Sequence, residues 1–357
     1  MTWLTWRQVR LQSTMVLGAA GALVLALVLT AHGLRTAYRA DLATFIDQLQ
    51  FKQLDGFLYV AGLISVLSAP PVIAAFWGGP LIARELETGT HRLVWNQSTT
   101  RQRWLAMKLA VTGAIAVGIC GLLSLVVSWW SDPIDKAVAA GHGAGRFSLP
   151  PLDPVVFGAR GIISIGYVVF GLAVGVALGL LLRRSIPAVA LTLVLVAAAE
   201  ILIPHYVRPR LVGPVVQNVV ISTENLRGIQ LQPGVSRQTD VPVRLTVRSG
   251  GAGDWGMANE TVDKAGQRVS VLPGWFAECL RSRIGAAPAN PANKARSDRN
   301  DLQPCFTRLT AEGYRQHVTY QPARHFWSLQ VRETALLLAI AGLLMGLCFW
   351  RIGRDVS

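Results

Sequence analysis

Six apolar runs, nearly free of charge, constrain this chain more than any other feature. They are Met15–Ala31, Phe57–Ile82, Leu109–Trp130, Gly161–Leu182, Ile186–Ile203 and Thr334–Trp350. A helix needs roughly 20 predominantly apolar residues to cross a bilayer. In lipid the backbone must satisfy its own N–H and C=O groups, which leaves helices for runs of this length. Only 15% of residues are charged, against about 25% in a soluble domain. The runs therefore predict a mainly α, polytopic membrane protein with six transmembrane helices. Leu29-Thr30-Ala31 lacks the small residue expected three positions before a cleavage site. The first run thus reads as a retained anchor and not as a signal peptide.

Direction follows from Lys and Arg in the short connections. Segments 1–14, 83–108, 183–185 and 351–357 hold 11 basic residues in 50 positions, against 6 in 52 for segments 35–56 and 131–160. Both termini are expected in the cytoplasm of a multi-pass cell-membrane protein. Trp3, Trp6, Trp129, Trp130, Phe326, Trp327 and Trp350 flank the runs, as an interfacial aromatic belt requires. The stretch Thr2–Gln12 is expected to lie along the inner leaflet as an interfacial segment.

The expected layout is residues 1–203 for the first five spans, 204–333 for a small extracytoplasmic α+β domain, and 334–357 for span six and a short tail. Within 204–333, strands are expected at Val215–Ile221, Val241–Arg248 and Gln267–Leu272. Helices are expected at Phe276–Ile284 and Phe306–Glu312, with Gly285–Asp301 reading as a linker. Cys279 and Cys305 lie in this segment, where an oxidising exterior permits a disulfide between them. The segment carries 17 basic and 10 acidic residues, which fits attraction to anionic membrane lipid or an acidic substrate. An ordinary solvated surface fits equally well.

Chemical signatures are sparse. The net charge of +14 is scattered between apolar runs, with no dense basic stripe, so nucleic acid is not an expected partner. There is no G-x-x-x-x-G-K-[ST] and no zinc motif, so neither a metal site nor a cofactor bound by this chain is expected, and no enzymatic activity of its own. Gly251–Gly256 matches G-x-G-x-x-G, but no helix is expected after it, which favours a glycine-rich turn. Glu200 is the one ionisable residue within a run, and such residues mark pathways by default. Its nearness to Pro204 equally allows it to reach headgroups. Pro70 and Pro71, mid-run, remove two backbone donors, and with Gly78-Gly79-Pro80 they make span two a candidate bent, cavity-lining element. Pro70, Pro71 and Glu200 are the candidate translocation-path residues.

The charged segment Arg84-Glu85-Leu86-Glu87-Thr88-Gly89-Thr90 leaves span two. A helix is expected to continue past the membrane and stop at Gly89, a natural C-terminal breaker. Thr99 with Gln102 fits a capping box for the helix entering span three. Six spans, an N-terminal interfacial segment and this R-E-x-E-x-G-T segment resemble the ABC-2 type transporter permeases. The opening Trp3-Leu4-Thr5-Trp6-Arg7-Gln8 and the late Tyr320–Trp327 resemble an actinobacterial branch of that group. The resemblance implies that segment 83–108 carries a coupling helix, with Arg84, Glu85, Glu87, Thr88 and Thr90 contacting an ATPase subunit. It further implies an exporter built from ABC ATPase subunits that use ATP, this permease and a second permease copy in a homodimer. The large segment 204–333 departs from the shorter connection of the simplest members. A membrane-anchored sensor, with the outer domain binding ligand, is the alternative.

Overall fold

Among the described residues, six helices are long and apolar enough to cross a bilayer: Ala20–Ala40, Gln53–Glu87, Arg101–Ala139, Ile163–Leu182, Ser185–Leu211 and Ala323–Arg354, spans 1 to 6. They belong to a computed structural model that describes residues 2–89, 100–231, 240–241, 243–248, 250–284 and 302–354. Two compact units are formed, Met1–Val212 with Arg324–Ser357, and Gly213–Ala323. The first unit is the multi-pass membrane body.

Most helices outrun the apolar runs, span 3 continuing through Pro133 and span 5 through Pro204 and Pro209. Span 1 belongs to one helix, Thr2–Ala40, and no Pro or Gly lies between Thr2 and Leu17. The N-terminal stretch Thr2–Gln12 is thus helical and continuous with span 1. A short helix, Leu42–Phe51, follows, capped by Asp41, whose carboxylate accepts from the Ala43 N–H at 2.9 Å and the Thr44 hydroxyl at 2.7 Å. Span 3 is capped by Thr100, whose hydroxyl accepts from the Arg103 N–H at 3.3 Å. The cap therefore sits one residue later than the Thr99–Gln102 pair, and Thr99 itself lies outside the described residues. Trp130 also departs from expectation. It is buried, and its indole N–H donates to the Thr30 hydroxyl at 3.0 Å, tying span 3 to span 1.

Span 2 holds the bundle together through backbone contact. Its helix Gln53–Ile73 runs through Pro70 and Pro71, widens into a π-helical turn at Ala74–Gly78, and resumes as Gly79–Glu87. The two prolines supply no N–H to the carbonyls one turn earlier, and the wide turn follows directly. Span 4 carries Gly171, Gly175 and Gly179 at four-residue intervals. A Cβ on Gly175 would stand 2.8 Å from Gly78 C and Gly79 N, and one on Gly179 2.9 Å from Gly79 O. Small residues at this spacing let helices in lipid approach until main chains touch. Spans 4 and 5 join through Arg183 and Arg184, Arg183 being left-handed at φ 53°. At this tight-turn end span 2 leaves the bundle and span 6 finishes, around a cluster including Ile82, Leu105, Val176, Leu180 and Ile352.

In the second unit β1 (Val215–Val219), β7 (Arg315–Gln321) and β5 (Trp255–Val262) form an antiparallel sheet in the order β1-β7-β5. Strands β2 (Leu226–Leu231) and β4 (Val243–Val247) pair separately, as do β3 (Asp240–Val241) and β6 (Leu272–Pro273). Of the strand expected at Gln267–Leu272, only a Val262–Arg268 bridge and the start of β6 form. Helices Gly274–Ile284 and 302–311 cover a core in which Phe276 and Phe306 meet edge to face at 5.5 Å. A disulfide joins Cys279 to Cys305 across these helices. The expected linker 285–301 lies outside the described residues. Gly251–Gly256 forms a turn whose Gly251 N–H donates to Asp254 at 2.7 Å, and a strand follows it, not a phosphate-binding helix.

Candidate functional site

At the tight-turn end, the segment expected to dock a partner is braced into the bundle. The helix Gly79–Glu87 ends on Thr88, whose N–H and hydroxyl both donate to the Arg84 carbonyl, at 3.0 and 2.8 Å. Gly89 follows at φ +71°, the left-handed residue that closes a helix C-terminus. Glu85 forms an ion pair with Lys108 of span 3, and both side chains are largely buried. The Lys108 ammonium also donates to the Leu81 carbonyl at 3.4 Å and stands 4.7 Å from the Trp104 ring. Glu87 reaches span 5, where its Oε2 accepts from the Ser185 N–H at 2.9 Å and the Ser185 hydroxyl at 2.7 Å. The first N–H groups of a helix lack intrahelical partners, so Glu87 caps span 5 from another helix. Arg84 and Thr88 are exposed on the same segment. Thr90 lies outside the described residues.

At the opposite end, Pro70 and Glu200 line one small cavity together with Ser164, Tyr167, Pro204 and Arg208. Its volume of about 20 Å³ suits a single water molecule. Pro71 is buried but is not in this lining. Glu200 makes no hydrogen bond or ion pair among the described residues. Beside it, Arg208 and Glu333 form an ion pair at 2.8 Å, with side chains 1% and 0% exposed. The Tyr167 hydroxyl donates to Glu333 at 3.1 Å, and the guanidinium carbon stands 3.9 Å from the Phe157 ring. Arg208 Nη1 and Ser164 Oγ are buried with no hydrogen-bond partner among the described residues.

A second polar layer continues from this pair. Arg160 binds Asp135 at 2.9 Å. The Gln330 side-chain oxygen accepts from the Ile162 and Ile163 N–H groups at 3.0 and 2.9 Å, while its amide donates to Phe157 O and Arg160 O. One glutamine from span 6 thereby satisfies the backbone of the bend 157–163. Outside the spans, burial raises the Asp153 carboxyl above its ordinary range, and its Oδ1 caps the short helix Pro154–Gly158.

The structure thus brings Pro70 and Glu200 together and gives Glu85 and Glu87 internal partners. Sequence reasoning did not single out Lys108, Arg208, Glu333, Arg160 or Gln330. Arg208 and Glu333 lie just beyond apolar runs, where a charge ordinarily marks the headgroup level. The Gly171-Gly175-Gly179 repeat was a readable signal, since small residues four apart mark close helix contacts.

The family model described as ABC-2 membrane transporter related matches residues 17–208. No curated protein and no solved structure matches the chain. The matched stretch contains spans 1 to 4 and most of span 5, with the segment Arg84–Thr88, the cavity residues Pro70 and Glu200, and Arg208 at its end.

Proposed function

The chain belongs to the ABC-2 membrane transporter related family, and we propose that it is the permease subunit of an ATP-driven exporter in the cell membrane. In this reading separate ATPase subunits consume the ATP, and a second copy of the chain completes the path. The chain binds no cofactor and performs no catalysis itself. Both termini face the cytoplasm, and the unit Gly213–Ala323 is extracytoplasmic. The family match is the observation that carries the proposal.

The geometry supplies a route for the stroke. A motor that displaces the helix Gly79–Glu87 pulls on span 5 through Glu87 and on span 3 through Glu85 and Lys108. Backbone contact at Gly175 and Gly179 carries span 4 along. Glu200 lies on span 5, so force entering at Ser185 reaches the cavity it shares with Pro70. Docking then falls to the exposed Arg84 and Thr88, and Glu85 and Glu87 transmit.

The test is an affinity pull-down of the tagged chain from native membranes. An ATPase subunit is expected in stoichiometric amount, and its absence sinks the proposal. Arg84→Glu should weaken its retention. Glu87→Ala should retain the motor while lowering the stimulation of its ATP hydrolysis by the permease. Charge reversal at Glu85 is a poor docking probe, because it also destroys the grip on Lys108.

A further inference from the structure

A groove of about 220 Å³ opens at the tight-turn end between spans 4 and 6. Leu180 and Leu181 form one wall, Leu344, Leu347 and Trp350 the other, and Arg351 is the charged residue in its lining. Leu181, Leu347 and Trp350 are all more than half exposed, so the groove faces the surroundings of the bundle. Each wall runs straight into a pair of cations. Arg183 and Arg184 follow Leu182, and both are exposed. Arg351 follows Trp350, and Arg354 is exposed with its guanidinium 5.0 Å from the Trp350 ring. Opposing acids are few. Glu87 neighbours Arg184 but is committed to Ser185, and Asp355 lies outside the described residues.

We propose that this groove is a binding site for an anionic glycerophospholipid, with an acyl chain between spans 4 and 6 and the headgroup phosphate at the arginines that end both walls. The apolar walls alone do not select a lipid, because hydrocarbon tails and leucine side chains are equally apolar and no hydrophobic drive separates them. Selection comes from charge. A basic residue at an anionic membrane surface is worth about 1 kcal/mol, roughly a fivefold change in affinity. Trp350 at the mouth has the amphipathic ring that prefers headgroup depth. The site rests on the groove and its cations, independent of the transport role.

The full chain in detergent micelles is titrated with brominated phosphatidylglycerol or brominated phosphatidylcholine, following tryptophan quenching. The quenching lost in Trp350→Phe isolates the reporter at the groove. Phosphatidylglycerol should bind at least about 25-fold more tightly than phosphatidylcholine, the product of about fivefold from one arginine on each wall. Arg351→Gln and Arg183→Gln should each remove about fivefold of that preference, with a smaller effect on phosphatidylcholine, whose choline offsets the phosphate charge. Arg351→Lys should retain most of it, which separates lost charge from lost folding. Equal affinities, or a preference undiminished in the double glutamine variant, overturn the proposal. So does a Trp350 that neither lipid quenches, as expected if a second copy covers the groove.

Discussion

Replacing Glu333 with Leu should destabilise the helical unit far more than replacing Glu333 and Arg208 together. The pair is closed by two bonds, Arg208 Nε to Oε2 at 2.8 Å and Nη2 to Oε1 at 3.3 Å, and the Tyr167 hydroxyl adds a third at 3.1 Å. Glu333→Leu leaves a buried guanidinium facing an aliphatic group, a loss worth about 3–5 kcal/mol. The orphaned Tyr167 hydroxyl adds about 1 kcal/mol. Arg208→Met with Glu333→Leu removes both charges at similar volume, a change that is often neutral, so roughly the tyrosine's share of 1 kcal/mol remains. The double variant should therefore be more stable than Glu333→Leu by about 3 kcal/mol or more, a factor of more than 100 in the folding equilibrium. Neutral hydrogen bonds inside membrane proteins average only about 0.6 kcal/mol, so the magnitude distinguishes charge burial from ordinary hydrogen bonding. The assay is reversible SDS unfolding in bicelles, followed by tryptophan fluorescence. A difference below about 1 kcal/mol, or a double variant as unstable as Glu333→Leu, refutes the reasoning.

Gly175→Ala drives a methyl to 2.8 Å from Gly78 C and Gly79 N, and overpacking of this kind costs about 1–3 kcal/mol in the same assay. Gly113→Ala is its control, since nothing lies within 4 Å of that Cβ, and the helix should gain up to about 1 kcal/mol. Reducing the Cys279–Cys305 bond, which spans 26 residues, should lower the stability of the unit Gly213–Ala323 by about 3.5 kcal/mol on the loop-entropy estimate. Hydrogen exchange of the intact chain with and without reductant reads this, and unchanged protection contradicts it. The Thr44 hydroxyl and then the Ala43 N–H hold the exposed Asp41 carboxyl below its ordinary range. Its capping contribution is therefore full above the usual carboxylate range and lost as pH falls through the lowered value. Amide exchange in the helix Leu42–Phe51 should accelerate on acidification, and Asp41→Asn should abolish that pH dependence.

The six spans were legible because lipid permits few solutions, and a run of apolar residues near bilayer length has little choice but helix. Gly89 as a stop and the Cys279–Cys305 pairing were readable for similar reasons, each resting on a residue with few alternative uses. Reading failed where one residue type serves two environments. Trp130 at a run's edge has the composition of a belt residue, yet its indole finds Thr30 inside the bundle. Glu85 looks like solvent-facing charge in a polar segment but is largely buried on Lys108, and the exposed Glu87 holds Ser185, neighbours distant in sequence that no local pattern announces.

The same ambiguity explains the shifted edges of the second unit. Composition changes at Pro204 and again at Thr334, which put the expected domain at 204–333, whereas the compact unit is Gly213–Ala323. The difference arises because the polar residues on both flanks are used within the helical unit. Arg208 pairs with Glu333, and Arg332 Nη1 donates to the Leu211 carbonyl at 2.6 Å. Chain leaving the helical unit at Val212 and chain returning at Arg324 are therefore anchored by contacts that involve no residue of the inserted unit. Replacing 213–323 with a flexible Gly/Ser linker of about twelve residues should leave these anchors and the six spans intact. Lengthening or shortening such a linker twofold changes closure by only about 0.6 kcal/mol, so the unfolding midpoint should be insensitive to its length. Glu333→Leu in the shortened chain should remain as costly as in the full one. If the shortened chain loses its cooperative unfolding while that variant costs nothing further, the anchors depend on the inserted unit and the division at Val212 and Arg324 is wrong.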